Sequence, residues 1–160
     1  AAEFAGERAS LHSVSTERSG GAFVATVRVG GVPLRCTVDS GAACYLSVGQ
    51  QAASKLTSCQ ATDRTMHQVG ANGEHICSRV VVSRVDFGGV GGDVPVLIND
   101  RPLDGEDGYL GVCFLRHFDL CCTTGALYAR RNGAAWDATL LDGIFGRTPC
   151  VGSAPPRCQS

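Results

Sequence analysis

The chain has 160 residues, a formal net charge of -1 and few aromatic residues (6%). This length fits one domain with or without tails. No run of about twenty apolar residues is present, so we expect no membrane insertion by these residues. No basic stripe indicates a nucleic-acid partner.

The chain contains nine cysteines, and because this number is odd they cannot all pair within one copy. No Cys-x-x-Cys pair occurs, and the four histidines do not fall at metal-ligand spacing, so we expect no metal site and no cofactor. Thiols at apolar strand positions behave as small hydrophobic groups. Cys150 and Cys158, in a proline-rich tail, are the candidates for a local disulfide.

The N-terminal part of the chain predicts a β-hairpin that ends at an acid. Residues 1–19 lack a sustained periodicity and are expected to be a flexible lead-in. Ala22 to Val29 alternates apolar and polar residues, as a half-buried strand does. Gly30-Gly31 then predicts a two-residue turn, and Val32 to Val38 returns as a second strand that leads into Asp39.

The short motif Asp39-Ser40-Gly41-Ala42 follows that strand directly. Gly41 lets the backbone bend tightly, the Ser40 hydroxyl can hold the turn, and small Ala42 leaves room beside the carboxylate. An acid on such a loop, flanked by apolar segments, can be tuned for proton transfer. The same triplet is also ordinary turn chemistry, so its catalytic interpretation depends on the rest of the chain.

The middle of the chain predicts a short helix and then a glycine-tipped hairpin. Ser47 is a candidate N-cap for a helix over Val48 to Leu56. Two strands follow, Thr65 to Val69 and Glu74 to Val82, and Gly70-Ala71-Asn72-Gly73 joins them. The Asn-Gly pair favours a tight turn, and a glycine-rich tip that projects from a domain is often mobile.

The later part of the chain predicts an apolar strand end at Tyr109-Leu110. Gly111 then permits a tight exit or the close approach of another backbone. Residues 132–160 combine weak helical spacing with glycines and prolines, so we expect a partly irregular C-terminal extension. The other predicted elements are a continuation of the preceding β character over Ser83 to Phe87, a strand over Val94 to Ile98, a turn at residues 88–92, a loop over residues 99–107, a helix over Val112 to His117, and a hairpin of Phe118 to Cys122 with Ala126 to Arg130.

Three motifs, in this order, resemble the retropepsin-like group of aspartic proteases, a retroviral-type family with one domain per chain. The family has an apolar strand into Asp-Thr/Ser-Gly-Ala, and Val38-Asp39-Ser40-Gly41-Ala42 stands here. Its glycine-rich flap hairpin is matched by Val69-Gly70-Ala71-Asn72-Gly73. Its later apolar pair, glycine and short helix are matched by Tyr109-Leu110-Gly111 and Phe114-Leu115. Each motif alone is weak, and together they are fairly specific.

The resemblance implies an all-β fold, namely a small closed β-barrel with one or two short helices that works as a homodimer. It implies a protease domain over residues 20–131 and assigns roles to eleven residues within it. These are Asp39 as the catalytic acid, Ser40, Gly41 and Ala42 as support for its loop, Val69, Gly70, Ala71, Asn72 and Gly73 as the substrate-binding flap, and Gly111, together with Leu110, as structural residues near the site.

The sequence departs from the family pattern beside these motifs. Viral members carry an acid just after the Ala and an Arg just after the late Gly, and the two pair. Here Ala43 and Val112 stand there, so both partners are missing together and no charge is left without its partner. Many retroelement members have an acid two residues after the late Gly, where this chain has Cys113.

The number of acids decides the expected mechanism. Peptide hydrolysis by carboxylates needs two of them sharing one proton, and this chain has one Asp-Ser/Thr-Gly motif. We therefore expect a C2 homodimer in which the Asp39 side chains of two copies face each other. The resemblance adds that the Ser40 hydroxyls brace the two turns. It also implies that the flap closes over an extended peptide or polyprotein segment, which binds by strand-like backbone pairing.

Two other functions are considered beside an endopeptidase. A catalytically silent domain of the same fold would serve dimerisation or peptide capture, but the intact Asp39-Ser40-Gly41 argues against it. A cysteine-dependent redox or metal protein is the other, and the missing Cys-x-x-Cys spacing counts against it.

Overall fold

A computed structural model describes residues 12–14, 16–88, 90–103 and 105–132, which are mostly β-strand. The elements are β1 (His12–Val14), β2 (Thr16–Ser19), β3 (Ala22–Val29), β4 (Val32–Asp39), β5 (Leu46–Val48), α1 (Gln50–Ala53), β6 (Gln60–Val69), β7 (His75–Phe87), β8 (Val90–Asn99), β9 (Gly108–Gly111), α2 (Val112–Leu115), β10 (Phe118–Cys122) and β11 (Leu127–Arg131). Both helices are short, and no helix in these described ranges is long and apolar enough to cross a membrane.

The larger sheet closes on itself. Strands β3, β4, β9, β5, β8 and β7 are hydrogen-bonded in that order, and the additional pairing of β3 with β7 joins the two ends. Strands β2 and β6 pair with β3 and β7 outside this ring. The pairings of β4 with β9 and of β5 with β8 are parallel. The expected small β-barrel with two short helices is therefore confirmed.

The alternating sequence of β3 explains how the barrel is filled. Val27 and Val29 are buried, whereas Thr26 and Arg28, which alternate with them, are exposed. Because successive side chains of a strand point to opposite faces, one face of β3 lines the interior. Full burial of each such valine contributes roughly 1.5–3 kcal/mol to folding.

Three phenylalanines hold the helix after β9 against the barrel. Phe87 at the end of β7 meets Phe114 and Phe118 edge to face, with ring centroids 6.1 and 5.4 Å apart. Phe114 and Phe118 stack at 5.3 Å. Aromatic pairs in these geometries add to the stability gained from burial alone, so α2 has a fixed position beside the end of β9.

A second, three-stranded sheet has the order β1-β11-β10. Asp119 on β10 faces Arg130 on β11, with 2.8 Å between Oδ2 and Nη2. Part of the segment 1–19, expected to be a flexible lead-in, is paired backbone: β1 pairs with β11 and β2 pairs with β3. Backbone pairing with neighbouring strands overrides the weak local pattern there. The domain limits at residues 20 and 131 stay a prediction.

The helix predicted over Val48 to Leu56 is wrong in its first part, because Leu46–Val48 is strand β5. Ser47 is not an N-cap: Gly49 occupies that position, and the Ser47 hydroxyl donates to Asn99 Oδ1 at 3.1 Å. Strand β5 lies between β8 and β9 and pairs with both, so tertiary pairing satisfies its backbone.

Two strands are longer than predicted. Strand β6 begins at Gln60 rather than Thr65, and β8 begins at Val90, so the predicted turn over residues 88–92 is shorter. Gly91 lies inside β8, where a Cβ would collide with the Val85 carbonyl oxygen. The helix considered within residues 132–160 and the Cys150–Cys158 pair lie outside the described residues.

Candidate active site

Asp39 is the last residue of β4 and lies half-buried opposite Gly111 in the parallel pairing with β9. Its Oδ1 accepts a hydrogen bond from the Gly41 backbone N–H at 2.9 Å. Its carbonyl oxygen accepts another from the Ala42 N–H at 3.2 Å. The motif therefore forms a turn that fixes the carboxylate orientation through its own backbone, as short acidic side chains do in turns.

The segment after Asp39, residues 40–45, crosses the end of β9 and is tied to it. The N–H groups of Gly111, Val112 and Cys113 donate to the carbonyl oxygens of Tyr45, Ala42 and Cys44, at 3.0, 2.9 and 3.1 Å respectively. We call residues 39–45 the catalytic loop, after the role that the sequence predicts for Asp39. Three backbone hydrogen bonds join this loop to the start of α2, so Asp39 lies on a supported segment.

Gly111 makes this crossing possible. A Cβ at this position would lie 2.6 Å from the Ala42 carbonyl oxygen and 2.8 Å from Cys44 Sγ, and it would also collide with the Cys44 carbonyl oxygen. Because two of these obstacles are backbone atoms, a side chain cannot be accommodated by a rotamer change. Leu110, one residue earlier, is fully buried between Val38 and Leu46 of the neighbouring strands.

A small apolar cluster lies beside the catalytic loop. Buried Cys44, Val80 and Leu97 form it, and half-buried Ala42 and Met66 pack against them. These residues come from the loop, β6, β7 and β8. The cluster thus links the catalytic loop to the strands that lead into and out of the β6–β7 hairpin.

The β6–β7 hairpin projects a glycine-containing tip. The Gly70 N–H donates to the Glu74 carbonyl oxygen at 2.8 Å, and the Gly73 N–H donates to the Gly70 carbonyl oxygen at 2.9 Å. Gly73 has a φ of +80°, a conformation that favours glycine. Val69 beside the tip is 65% exposed. The predicted hairpin and its tip are present in the structure.

A family model described as aspartyl protease matches residues 25–114, more than half of the chain. The chain belongs to the aspartyl protease family. Its fold is also similar to the crystal structure of a retropepsin-like aspartic protease from Rickettsia conorii, at 23% sequence identity and a TM-score of 0.50. That similarity covers 72% of this chain and 93% of the other. No curated protein matches the chain in sequence.

The positions that depart from the viral pattern of this aspartyl protease family lie at the surface of the site. Ala43 is exposed, and Val112 is 39% exposed. Neither position carries a charge, so the loop and α2 are joined by the backbone hydrogen bonds instead of an ion pair. Ser40 is also exposed, on the turn beside Asp39.

Two features of the site were not predicted from the sequence. Arg101, in the loop after β8, donates from Nη2 to the His75 carbonyl oxygen at 3.2 Å, and its Nη1 lies 3.6 Å from Glu74 Oε2. The base of the hairpin tip is thereby tethered to the barrel. No local motif identifies such a contact, because its partners are distant in sequence.

The second is the proximity of Cys44 to Cys113. The pKa of the Cys44 thiol is raised to about 12, chiefly by burial and also by charge repulsion from Cys113 and Asp39. Sequence position could have indicated this proximity, because Cys44 closely follows the Asp39-Ser40-Gly41-Ala42 motif and Cys113 closely follows Gly111. Within the described ranges, no group of three or more metal-binding side chains comes together.

Proposed function

We propose that the protein is an aspartic endopeptidase, which hydrolyses peptide bonds with a water molecule activated by a pair of Asp39 carboxylates. The observation that carries this proposal is the placement of Asp39. Its carboxylate ends a barrel strand, is oriented by the Gly41 N–H, and lies on a loop bonded to Gly111 and Val112. The family assignment supports a protease-like domain of this kind.

The second carboxylate of the pair comes from a second copy of the chain. Asp107 and Asp119, two other acids among the described residues, are already engaged in structural contacts. Asp107 accepts from the Arg35 N–H at 2.9 Å and lies 3.3 Å from Lys55 Nζ, while Asp119 is paired with Arg130. A C2 homodimer places two equivalent Asp39 side chains across one axis, as the reaction requires.

Each carboxylate has a separate role within the pair. Two carboxylates at close range cannot both be ionised, so the pair holds one proton between them. The ionised member accepts a proton from the attacking water, and the protonated member donates to the carbonyl oxygen of the scissile bond. In this proposal Ser40, on each turn, braces the two loops.

The substrate is an extended segment of a peptide or polyprotein. The proposed flap consists of Val69 to Gly73 at the tip of the β6–β7 hairpin. Its closure would exclude water and pair its backbone with the extended segment. The apolar cluster at Ala42 and Met66 favours apolar substrate side chains near the scissile bond. The proposed protease domain covers residues 20–131, and residues 1–19 and 132–160 flank it.

The test is cleavage of a denatured protein mixture by purified wild-type and Asp39→Asn chains, with and without a pepstatin-like inhibitor, from acidic to neutral pH. Asp39→Asn keeps the shape of the side chain but cannot share a proton, so we expect no cleavage. Asp93→Asn is the matched control, because Asp93 is exposed on β8 and lies opposite Arg84 of β7. An Asp39→Asn chain that cleaves at the wild-type rate would refute the protease assignment. An inactive, correctly folded wild type would favour the silent domain.

A further inference from the structure

Two cysteines meet where the catalytic loop crosses α2. Cys44 lies in the loop, and Cys113 is the second residue of α2. The Cys113 N–H donates to the Cys44 carbonyl oxygen at 3.1 Å. Both thiols are free in this structure. The protein therefore holds a reduced cysteine pair within the segments that position Asp39.

The backbone contact brings these residues within disulfide range. An N–H···O=C hydrogen bond between two residues places their Cα atoms roughly 5 to 6.5 Å apart by standard bond lengths, and disulfides span Cα separations of about 4.4–6.8 Å. The Cys44 sulfur also lies against the start of α2, because it would be 2.8 Å from a Cβ at Gly111, two residues before Cys113. Closing the bond needs a local adjustment of the catalytic loop and α2 rather than a change of fold.

The two thiols differ in access. Cys44 is 3% exposed, whereas Cys113 is half-buried and reachable from solvent. Since an oxidant reacts with the accessible thiolate first, Cys113 is the entry point and Cys44 is the thiol that resolves the oxidised intermediate.

We propose that Cys44 and Cys113 form a redox-reactive dithiol site, which a peroxide converts to a disulfide that cross-links the catalytic loop to α2. In the first step the Cys113 thiolate attacks the peroxide, the O–O bond breaks, and Cys113 becomes a sulfenic acid as hydroxide leaves and takes up a proton. In the second step the Cys44 sulfur attacks the Cys113 sulfur, the S–O bond breaks, and water leaves. Two thiols are oxidised and one peroxide is reduced to two waters when hydrogen peroxide is the oxidant.

Cross-linking also affects the position of Asp39. A disulfide requires Cβ atoms about 3.8 Å apart and a fixed dihedral angle, so forming it shifts the catalytic loop relative to α2. Displacement of a reacting group by about 1 Å can reduce turnover by about a hundredfold. This consequence rests on the proposed function, whereas formation of the disulfide does not. We expect oxidation to lower cleavage at least about tenfold and a dithiol reductant to restore it.

The experiment treats reduced, folded protein with hydrogen peroxide, blocks remaining thiols with iodoacetamide, and maps cysteine-containing peptides by mass spectrometry. We expect a Cys44–Cys113 linked peptide, lighter by two hydrogen atoms than the two free peptides together. Cys113→Ser, at a half-buried position, should abolish it without unfolding the chain, which circular dichroism checks. Cys121→Ser is the matched control, because Cys121 is half-buried on β10 and should leave the link intact.

A different linkage, or separate alkylation or over-oxidation of Cys44 and Cys113, would overturn the dithiol site. If the disulfide-linked chain cleaves substrate as fast as the dithiol form does, the proposed coupling of the disulfide to Asp39 is wrong. The linked peptide is detected by mass spectrometry without an activity assay. An inactive reduced protein would therefore count against the proposed function, whereas the peptide masses would still decide whether the dithiol site exists.

Discussion

Gly111→Ala is the substitution that tests the loop crossing most sharply. It adds a single methyl group at a residue that lies opposite Asp39 and takes no part in the proposed chemistry. The added Cβ would lie 2.6 Å from the Ala42 carbonyl oxygen and 2.8 Å from Cys44 Sγ. The loop and α2 must therefore separate.

The cost follows from what that separation breaks. Three backbone hydrogen bonds join Gly111, Val112 and Cys113 to the loop, and each contributes about 1 kcal/mol net to stability. Overpacking that remains after relaxation costs about 1–3 kcal/mol more. If the relaxed structure keeps one of the three bonds, the free energy of unfolding falls by about 3–5 kcal/mol. A domain of ordinary stability has only about 5–15 kcal/mol in total.

Urea unfolding of the wild type, Gly111→Ala and Gly125→Ala measures this cost. Gly125 is the matched control, since a Cβ there meets nothing within 4 Å and its φ is not positive. We expect its effect to stay within about 0.5 kcal/mol. A Gly111→Ala chain destabilised by less than about 1 kcal/mol, which is the worth of a single hydrogen bond, would refute the tight crossing.

Three further predictions concern the flap, a buried polar cluster and the thiols. Gly73→Val forces a branched residue to a φ of +80°, so kcat/KM should fall while the urea midpoint changes little; unchanged kinetics would mean that the hairpin tip is not a working flap. Asn99→Ala removes the acceptor of the buried Ser47 and Ser78 hydroxyls, and should lower the free energy of unfolding by about 2–4 kcal/mol. A loss smaller than the free energy of a single hydrogen bond would contradict the importance of this buried polar cluster. Because burial raises the pKa of Cys44 to about 12, this thiol is almost wholly protonated at pH 8. Iodoacetamide should therefore label exposed Cys122 long before Cys44, and equal labelling rates would contradict this burial.

The local parts of the fold were predictable from sequence. The alternation of Ala22 to Val29 and the Gly30-Gly31 turn predicted the β3–β4 hairpin, which the structure confirms. The same reasoning placed Asp39 at a strand end, where the structure has it. These features depend on periodicity and turn chemistry, which neighbouring residues determine.

The long-range parts were not predictable in this way. Ser47 has the side chain of an N-cap, but its hydroxyl bonds Asn99, 52 residues away, and strand pairing on both sides overrides the local helix signal. The Arg101 tether and the Cys44–Cys113 contact likewise join segments that only barrel closure brings together. Sequence patterns identify which residues matter near the site more readily than which of them touch.

The central claim is that activity requires Asp39 from two chains. The most direct measurement is specific activity over a protein concentration series, with sedimentation velocity on the same samples. Mixing wild type with an excess of Asp39→Asn chains provides an internal check, because mixed dimers carry only one ionisable member of the pair. We predict that specific activity falls with the dimer fraction on dilution and that excess Asp39→Asn chains suppress it. A monomer that keeps full specific activity at the lowest concentration would contradict the account.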